Sequence, residues 1–105
     1  LTSLVHLQSL RLSSSDISNL SDLEHFSDLE RLDLERCNIS DISWISSLTK
    51  LKTLYLRESS ITDVSPLASL TNLTELYLSN NNIADISSLE NLTNLTKLEL
   101  QYNQL

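Results

Sequence analysis

Apolar residues recur along this chain on a fixed frame of 22 positions. Copies begin at Leu1, Leu23, Ile45, Leu67 and Leu89, and the last runs to Leu105. Within each copy, positions 1, 4, 7, 10, 12, 17 and 20 are apolar. In the fourth copy these are Leu67, Leu70, Leu73, Leu76, Leu78, Ile83 and Ile86. Every such position in every copy carries Leu, Ile, Val or Phe, and no insertion breaks the frame. Self-similarity at this period is the mark of a solenoid: one copy cannot bury its leucines alone, but stacked neighbours share a continuous core. Residues 1–105 therefore read as a single solenoid segment with repeats 1–22, 23–44, 45–66, 67–88 and a truncated 89–105, and with no capping module at either end.

The spacing changes within each copy. From position 1 to 10 the apolar residues fall every third place, which suits 3₁₀ turns better than an α-helix. Ser, Thr and Asn fill the gaps, as at Ser69, Thr71, Asn72 and Thr74, and these residues favour turns over helix interiors. From position 10 to 12 the spacing becomes two, the period of a strand. The pattern predicts short strands around Leu10–Leu12, Leu32–Leu34, Leu54–Leu56, Leu76–Leu78 and Leu98–Leu100. Identical connections make these strands parallel, and the fold class is α/β.

Position 15 holds Ser15, Cys37, Ser59, Asn81 and Asn103. It is the ladder position of the pattern L-x-x-L-x-L-x-x-N/C-x-L. The backbone turns there, and a buried Asn can satisfy both stranded N–H and C=O groups. Ser and Cys satisfy fewer, so the first three copies should be less well tied than the last two. Position 19 holds Asn19, Asp41, Asp63 and Asp85, which read as turn caps accepting backbone N–H bonds.

The segment Ile61-T-D-V-S-P-L-A-S-L-T-N-L-T-E-L-Y-L-S-N-N-N-Ile83-A-D-I resembles the 22-residue leucine-rich repeats of bacterial internalin-type surface proteins, and a similar class occurs in eukaryotic phosphatase-regulating proteins. The likeness covers essentially the whole chain. It implies a leucine-rich-repeat solenoid, a curved right-handed horseshoe, with parallel strands on the concave face, 3₁₀ and irregular segments on the convex face, and protein recognition as the use. It also implies a bacterial cell-surface or secreted setting, with an intracellular regulatory subunit as the alternative. A lone cysteine, Cys37, suits a reducing compartment.

Composition narrows the chemistry. The chain has no Gly, hence neither a phosphate-cradling loop nor a dinucleotide fingerprint. The formal charge of −7 argues against nucleic acid, which needs a basic stripe. No apolar run exceeds three residues, so membrane insertion is not expected. A start at Leu1 rather than Met makes this an expected piece of a larger protein. Its uncovered ends, Leu1, Leu4 and Leu7 at one and Leu98, Leu100 and Leu105 at the other, are expected to leave the isolated segment marginally stable or to make it associate end to end.

The two strand leucines point inward, so positions 9, 11 and 13 point outward, and position 14 extends that face. The outward set holds Ser9, Arg11, Ser13, Ser14, Arg31, Asp33, Glu35, Arg36, Thr53, Tyr55, Arg57, Glu58, Glu75, Tyr77, Ser79, Asn80, Lys97, Glu99, Gln101 and Tyr102. It includes every arginine and tyrosine of the chain, with five basic against five acidic residues. The whole net charge therefore lies elsewhere on the surface. A neutral face rich in Tyr and Arg has the composition of protein-interface hot spots. The expected partner-binding centre is Tyr55, Tyr77, Arg57 and Asp33, with Arg31, Glu75, Glu99 and Tyr102 around it. The competing reading is a structural spacer in which Arg31, Asp33, Glu35 and Arg57 are only cross-strand pairs.

Other chemistry is thin. The column Asp41, Asp63, Asp85 offers one carboxylate per turn without a calcium loop, so capping outweighs a metal role. Cys37 reads as a buried ladder residue. His6 and His25 fall at different positions of the frame and off the strand face, leaving the serines without a general base. No catalytic residue, metal or cofactor is expected. Trp44 stands where Pro66 stands one copy later, as a packing plug or a back-edge contact. The sequons at Asn19, Asn38, Asn72, Asn91 and Asn94 arise from the repeat itself.

Overall fold

A computed structural model describes residues 6–12 and 20–105. Five strands, β1 (Ser9–Arg11), β2 (Arg31–Asp33), β3 (Thr53–Tyr55), β4 (Glu75–Tyr77) and β5 (Lys97–Glu99), form one parallel sheet in chain order. Each partner lies one 22-residue frame away: Leu10 against Leu32, Leu32 against Leu54, Leu54 against Leu76, Leu76 against Leu98.

Each strand covers positions 9 to 11 of its copy, one place earlier than the leucine pair suggests. The ladder still runs on: the N–H of position 12 donates to the carbonyl of position 11 one copy later, as in Leu34 to Tyr55, Leu56 to Tyr77 and Leu78 to Glu99. The N–H of position 14 does the same toward position 13, in Arg36 to Arg57, Glu58 to Ser79 and Asn80 to Gln101. Leucine at position 12 thus remains tied to its neighbour after regular strand pairing has ended.

Four 3₁₀ segments precede the later strands, at Leu20–His25, Ser43–Ser47, Ser65–Ser69 and Ser87–Leu89. They straddle the copy boundary and end by position 3. The three-residue apolar spacing nevertheless has a direct backbone counterpart. Ile45 donates to Ile42, Leu48 to Ile45 and Leu51 to Leu48, and the same chain of i to i−3 bonds joins Val64, Leu67, Leu70 and Leu73. Residues that share an inward direction therefore also share hydrogen bonds, which is what three residues per turn requires.

The core is continuous through the copies. Leu29, Leu32, Leu51, Leu54, Leu73 and Leu76 are fully buried. Leu7, Leu10 and Leu12 are only partly buried at one end. At the other, Leu98 is 44% and Leu105 63% exposed. Leu1 and Leu4 lie outside the described residues. Trp44 is buried in this core, and its Nε1–H donates to the Asp41 carbonyl at 3.2 Å.

Side chains repeat their hydrogen bonds along the columns as well. Asn72 Nδ2 donates to the Thr49 carbonyl and Asn94 Nδ2 to that of Thr71, each at 2.9 Å. Thr74 and Thr96 hydroxyls donate to the carbonyls of Lys52 and Thr74, each at 3.0 Å. These bonds place successive strands in a common register.

A candidate recognition surface on the strand face

The turns that follow β4 and β5 are organised from position 15. Asn81 Nδ2 donates to the carbonyls of Leu56 at 2.9 Å, Leu78 at 3.0 Å and Ser79 at 3.3 Å, while Oδ1 accepts the Ile61 N–H at 3.1 Å. Asn103 repeats the set with Leu78, Leu100 and the Ile83 N–H. The Cys37 thiol, fully buried, donates to the Leu12 carbonyl, the counterpart of Leu56 two copies earlier. Ser59 has a buried hydroxyl with no hydrogen-bond partner. Ser15 and Asn19 lie outside the described residues. At position 19, Asp41, Asp63 and Asp85 each accept the N–H of the residue two places on, Ser43, Ser65 and Ser87, at 2.9 Å. Those backbone bonds hold Asp63 and Asp85 below the usual carboxylate range.

Position 14 takes positive φ: 58° at Arg36, 55° at Glu58, 60° at Asn80 and 62° at Tyr102. Alternation alone would send this position inward with 10 and 12. The left-handed backbone re-aims it, and all four side chains are exposed. Non-Gly residues seldom occupy this region, and nothing about Arg36 or Glu58 marks them for it.

On this frame Tyr55 and Tyr77 stand directly opposite each other. Their rings stack with centroids 4.5 Å apart and planes 4° from parallel. The separation is close to the roughly 4.8 Å between neighbouring strands, so the sheet itself sets the stack. Arg31 lies over Tyr55 with Cζ 4.8 Å from the ring centre, and Arg57 over Tyr77 at 4.6 Å.

Arg57 spans two copies. It pairs with Glu35 at 2.7 Å on one side and, through Nε, with Glu99 on the other. The intervening copy carries Ser79 at the same position, small enough for the arginine to pass. Ser79 is thereby buried, with its hydroxyl donating to Glu99 at 3.4 Å. Gln101 donates to the other Glu99 oxygen at 3.0 Å. The bond from Arg57 holds Glu99 below the usual range. Tyr77 donates its O–H to Glu75, which pushes the phenol up to about 12.

Among the described members of the expected outward set two are buried instead, while Ser13 and Ser14 lie outside the described residues. Asp33 is 7% exposed and Ser79 3%. Asp33 sits in register between Arg11 and Tyr55, pairs with Arg11 at 3.5 Å and accepts the Glu35 N–H at 3.3 Å. Long neighbours on both sides close over a short carboxylate, so Asp33 supports the surface from beneath. Its partner is Arg11 rather than Arg31. The structure thus brings together Tyr55, Tyr77, Arg57, Arg31, Glu75 and Glu99. Tyr102, 76% exposed, makes none of these contacts. Glu35, outside the expected site, belongs to it through Arg57, and its position in the column beside Arg57 was the available signal.

Among the described residues no group of three or more His, Cys, Asp or Glu could hold a metal ion, and no helix is long and apolar enough to cross a membrane.

Comparison with known proteins places this geometry. A leucine-rich-repeat model matches residues 49–105, and a two-copy leucine-rich-repeat model matches residues 27–69. Curated protein sequences give no significant match. Among solved structures, an internalin (inlF) from Listeria monocytogenes is 35% identical with a TM-score of 0.90, over 97% of this chain and 30% of that one. Internalin C2 (inlC2) from the same organism is 38% identical with a TM-score of 0.88, over 90% of this chain and 42% of that one. A leucine-rich-repeat protein of Leptospira interrogans is 25% identical with a TM-score of 0.87, over 95% of this chain and 26% of that one. The chain therefore spans less than half the length of each. With a 22-residue frame, a parallel strand per copy, 3₁₀ turns and side-chain ladders after the strands, the chain belongs to the leucine-rich-repeat family.

Proposed function

We propose that this segment is a non-catalytic recognition module whose concave strand face grips a protein partner, as part of a larger and internalin-like protein. The observation that carries the reading is the Tyr55–Tyr77 stack with Arg31 and Arg57 over its rings. Tyr and Arg are the residue types that dominate binding energy at interfaces. Arg57 is held by two carboxylates from different copies, so the patch is ordered before any partner arrives, which lowers the entropy cost of association.

The test uses the parent protein, with partners captured by cross-linking on the unchanged form, on a Tyr55→Ala/Tyr77→Ala form, and on an Asn72→Ala form altered off the strand face. Capture should be lost only with the tyrosine changes, while the melting temperature moves little. Equal capture by all three forms would leave the repeats as a structural spacer that positions another domain.

A further inference from the structure

The charged and aromatic groups of the strand face fall into two classes, committed and uncommitted. Arg57 is engaged by Glu35 and Glu99, Arg36 by Glu58, and Arg11 by Asp33. The Tyr77 hydroxyl is engaged by Glu75. Arg31 is different. It is exposed, it rests against the Tyr55 ring, and it makes no ion pair among the described residues. The Tyr55 hydroxyl likewise makes no hydrogen bond among them. Glu30, next to it in sequence, is paired with Lys52, and Asp33, the nearest carboxylate on the same strand face, is buried beneath the surface and already occupied by Arg11 and the Glu35 N–H.

A guanidinium held against a ring is restrained by that contact while its N–H donors remain available for hydrogen bonds. Five such donors in a fixed fork match a carboxylate in bidentate fashion. The local charge agrees: Arg11 is neutralised by Asp33, Arg36 by Glu58, and Arg57 by Glu35 and Glu99, which leaves Arg31 as the arginine without a counter-ion among the described residues. Arg31 is thus a single uncompensated guanidinium on a chain whose formal charge is −7.

We propose that Arg31, with the Tyr55 hydroxyl beside it, receives a carboxylate side chain of an acidic peptide segment in the partner, and that Arg57, Glu99 and Tyr77 are positioning residues that hold this pair in place. The proposal rests on the strand face being the recognition surface, and it divides that surface into a contacting half and a supporting half.

Random peptides displayed on phage, selected on the unchanged chain, on Arg31→Gln and on Tyr55→Ala/Tyr77→Ala, test both levels separately. Selection on the unchanged chain should enrich Asp and Glu at one peptide position. Synthetic versions should bind Arg31→Gln about tenfold or more weakly, and replacing the acid by its amide should cost the same. The two changes together should add little, because they remove one interaction. Arg31→Lys should not restore binding, since it keeps the charge but lacks the fork. Peptides that need the tyrosines but ignore Arg31 and the acid would overturn the anchor alone. Peptides indifferent to all the strand-face changes would overturn the recognition surface as well. Failure to enrich any acidic peptide would also overturn the anchor.

Discussion

Ser59 occupies the one described ladder position whose side chain satisfies nothing, and replacing it with Asn should stabilise the fold. Its hydroxyl is buried and unpartnered, a condition that costs on the order of 1–3 kcal/mol. One copy later Asn81 makes four hydrogen bonds, three of them at 3.1 Å or less. Translating that set by one frame puts the amide introduced by Ser59→Asn within reach of the Leu34, Leu56 and Arg57 carbonyls and the Ile39 N–H. Net contributions of about 1 kcal/mol per well-formed bond, less the entropy of fixing the amide and some crowding, leave a gain of roughly 2 kcal/mol. For a chain of this size that is a rise in Tm of about 8–16 °C, or a shift in the urea midpoint of about 1 M. Asn81→Ser should lose a comparable amount in the same assay. Cys37→Asn should gain less, because the Cys37 thiol already donates to Leu12. A Ser59→Asn form no more stable than the parent, with Asn81→Ser clearly destabilised, would refute the idea that the frame transfers hydrogen bonding from copy to copy.

Ser79→Leu should block the path of Arg57 and free Glu99, whose carboxyl should then titrate at higher pH than in the unchanged chain when followed by carbon NMR. Acid should destabilise the fold. Asp28, bonded to Lys50 at 2.8 Å and to His6 at 2.9 Å, is held below its ordinary value in the folded state, as are Asp63, Asp85 and Glu99, so their contribution is complete above the unfolded values near 4 and disappears as pH falls through the folded ones. Tyr77 has the opposite sign. Its phenol is raised from 10.0 to about 12, so its bond to Glu75 contributes fully below pH 10 and is lost as pH rises toward 12. Melting curves across both ranges check the two signs, and a flat acid limb would contradict the first. Finally, Leu98→Lys should reduce any self-association of the isolated chain in sedimentation, because Leu98 is the half-exposed end of a leucine column whose inner members Leu32, Leu54 and Leu76 are fully buried. Unchanged association would place the contact elsewhere.

The sheet, its register and the tyrosine pair were legible because they depend only on the frame. Residues at the same position in consecutive copies must be neighbours, and Tyr55 and Tyr77 share a column. What escaped depends on side-chain reach and on backbone torsion. Asp33 was placed at the surface by alternation, yet a short carboxylate between Arg11 and Tyr55 is overgrown by both. The bridge from Arg57 to Glu99 crosses a whole copy, and it exists because Ser79 is small. The left-handed turn at position 14 carries no Gly, and only Asn80 among its occupants has a known tolerance for that region. The extra ladder bond made there by Arg36, Glu58 and Asn80 compensates for the torsion, and a bond between copies cannot be seen in any one copy.

The two kinds of column divide the labour. Positions 3, 6, 8 and 15 return side-chain bonds to the backbone of a preceding copy, as Ser69 does to Ser46, Asn72 to Thr49, Thr74 to Lys52 and Asn81 to Leu56. These groups are consumed in holding the stack, so they offer a partner little. Positions 9, 11 and 13 face away from that framework, and their occupants differ from copy to copy, which frees them to make contacts of their own. Even there most groups find partners within the chain, through Arg57, Glu75 and Asp33. The effect is to restrict the loose chemistry of the face to a few groups, Arg31 and the Tyr55 hydroxyl chief among them. Under the proposed recognition role, contact with a partner falls to the residues that break the repetition and remain unsatisfied after the neighbouring copies have been counted.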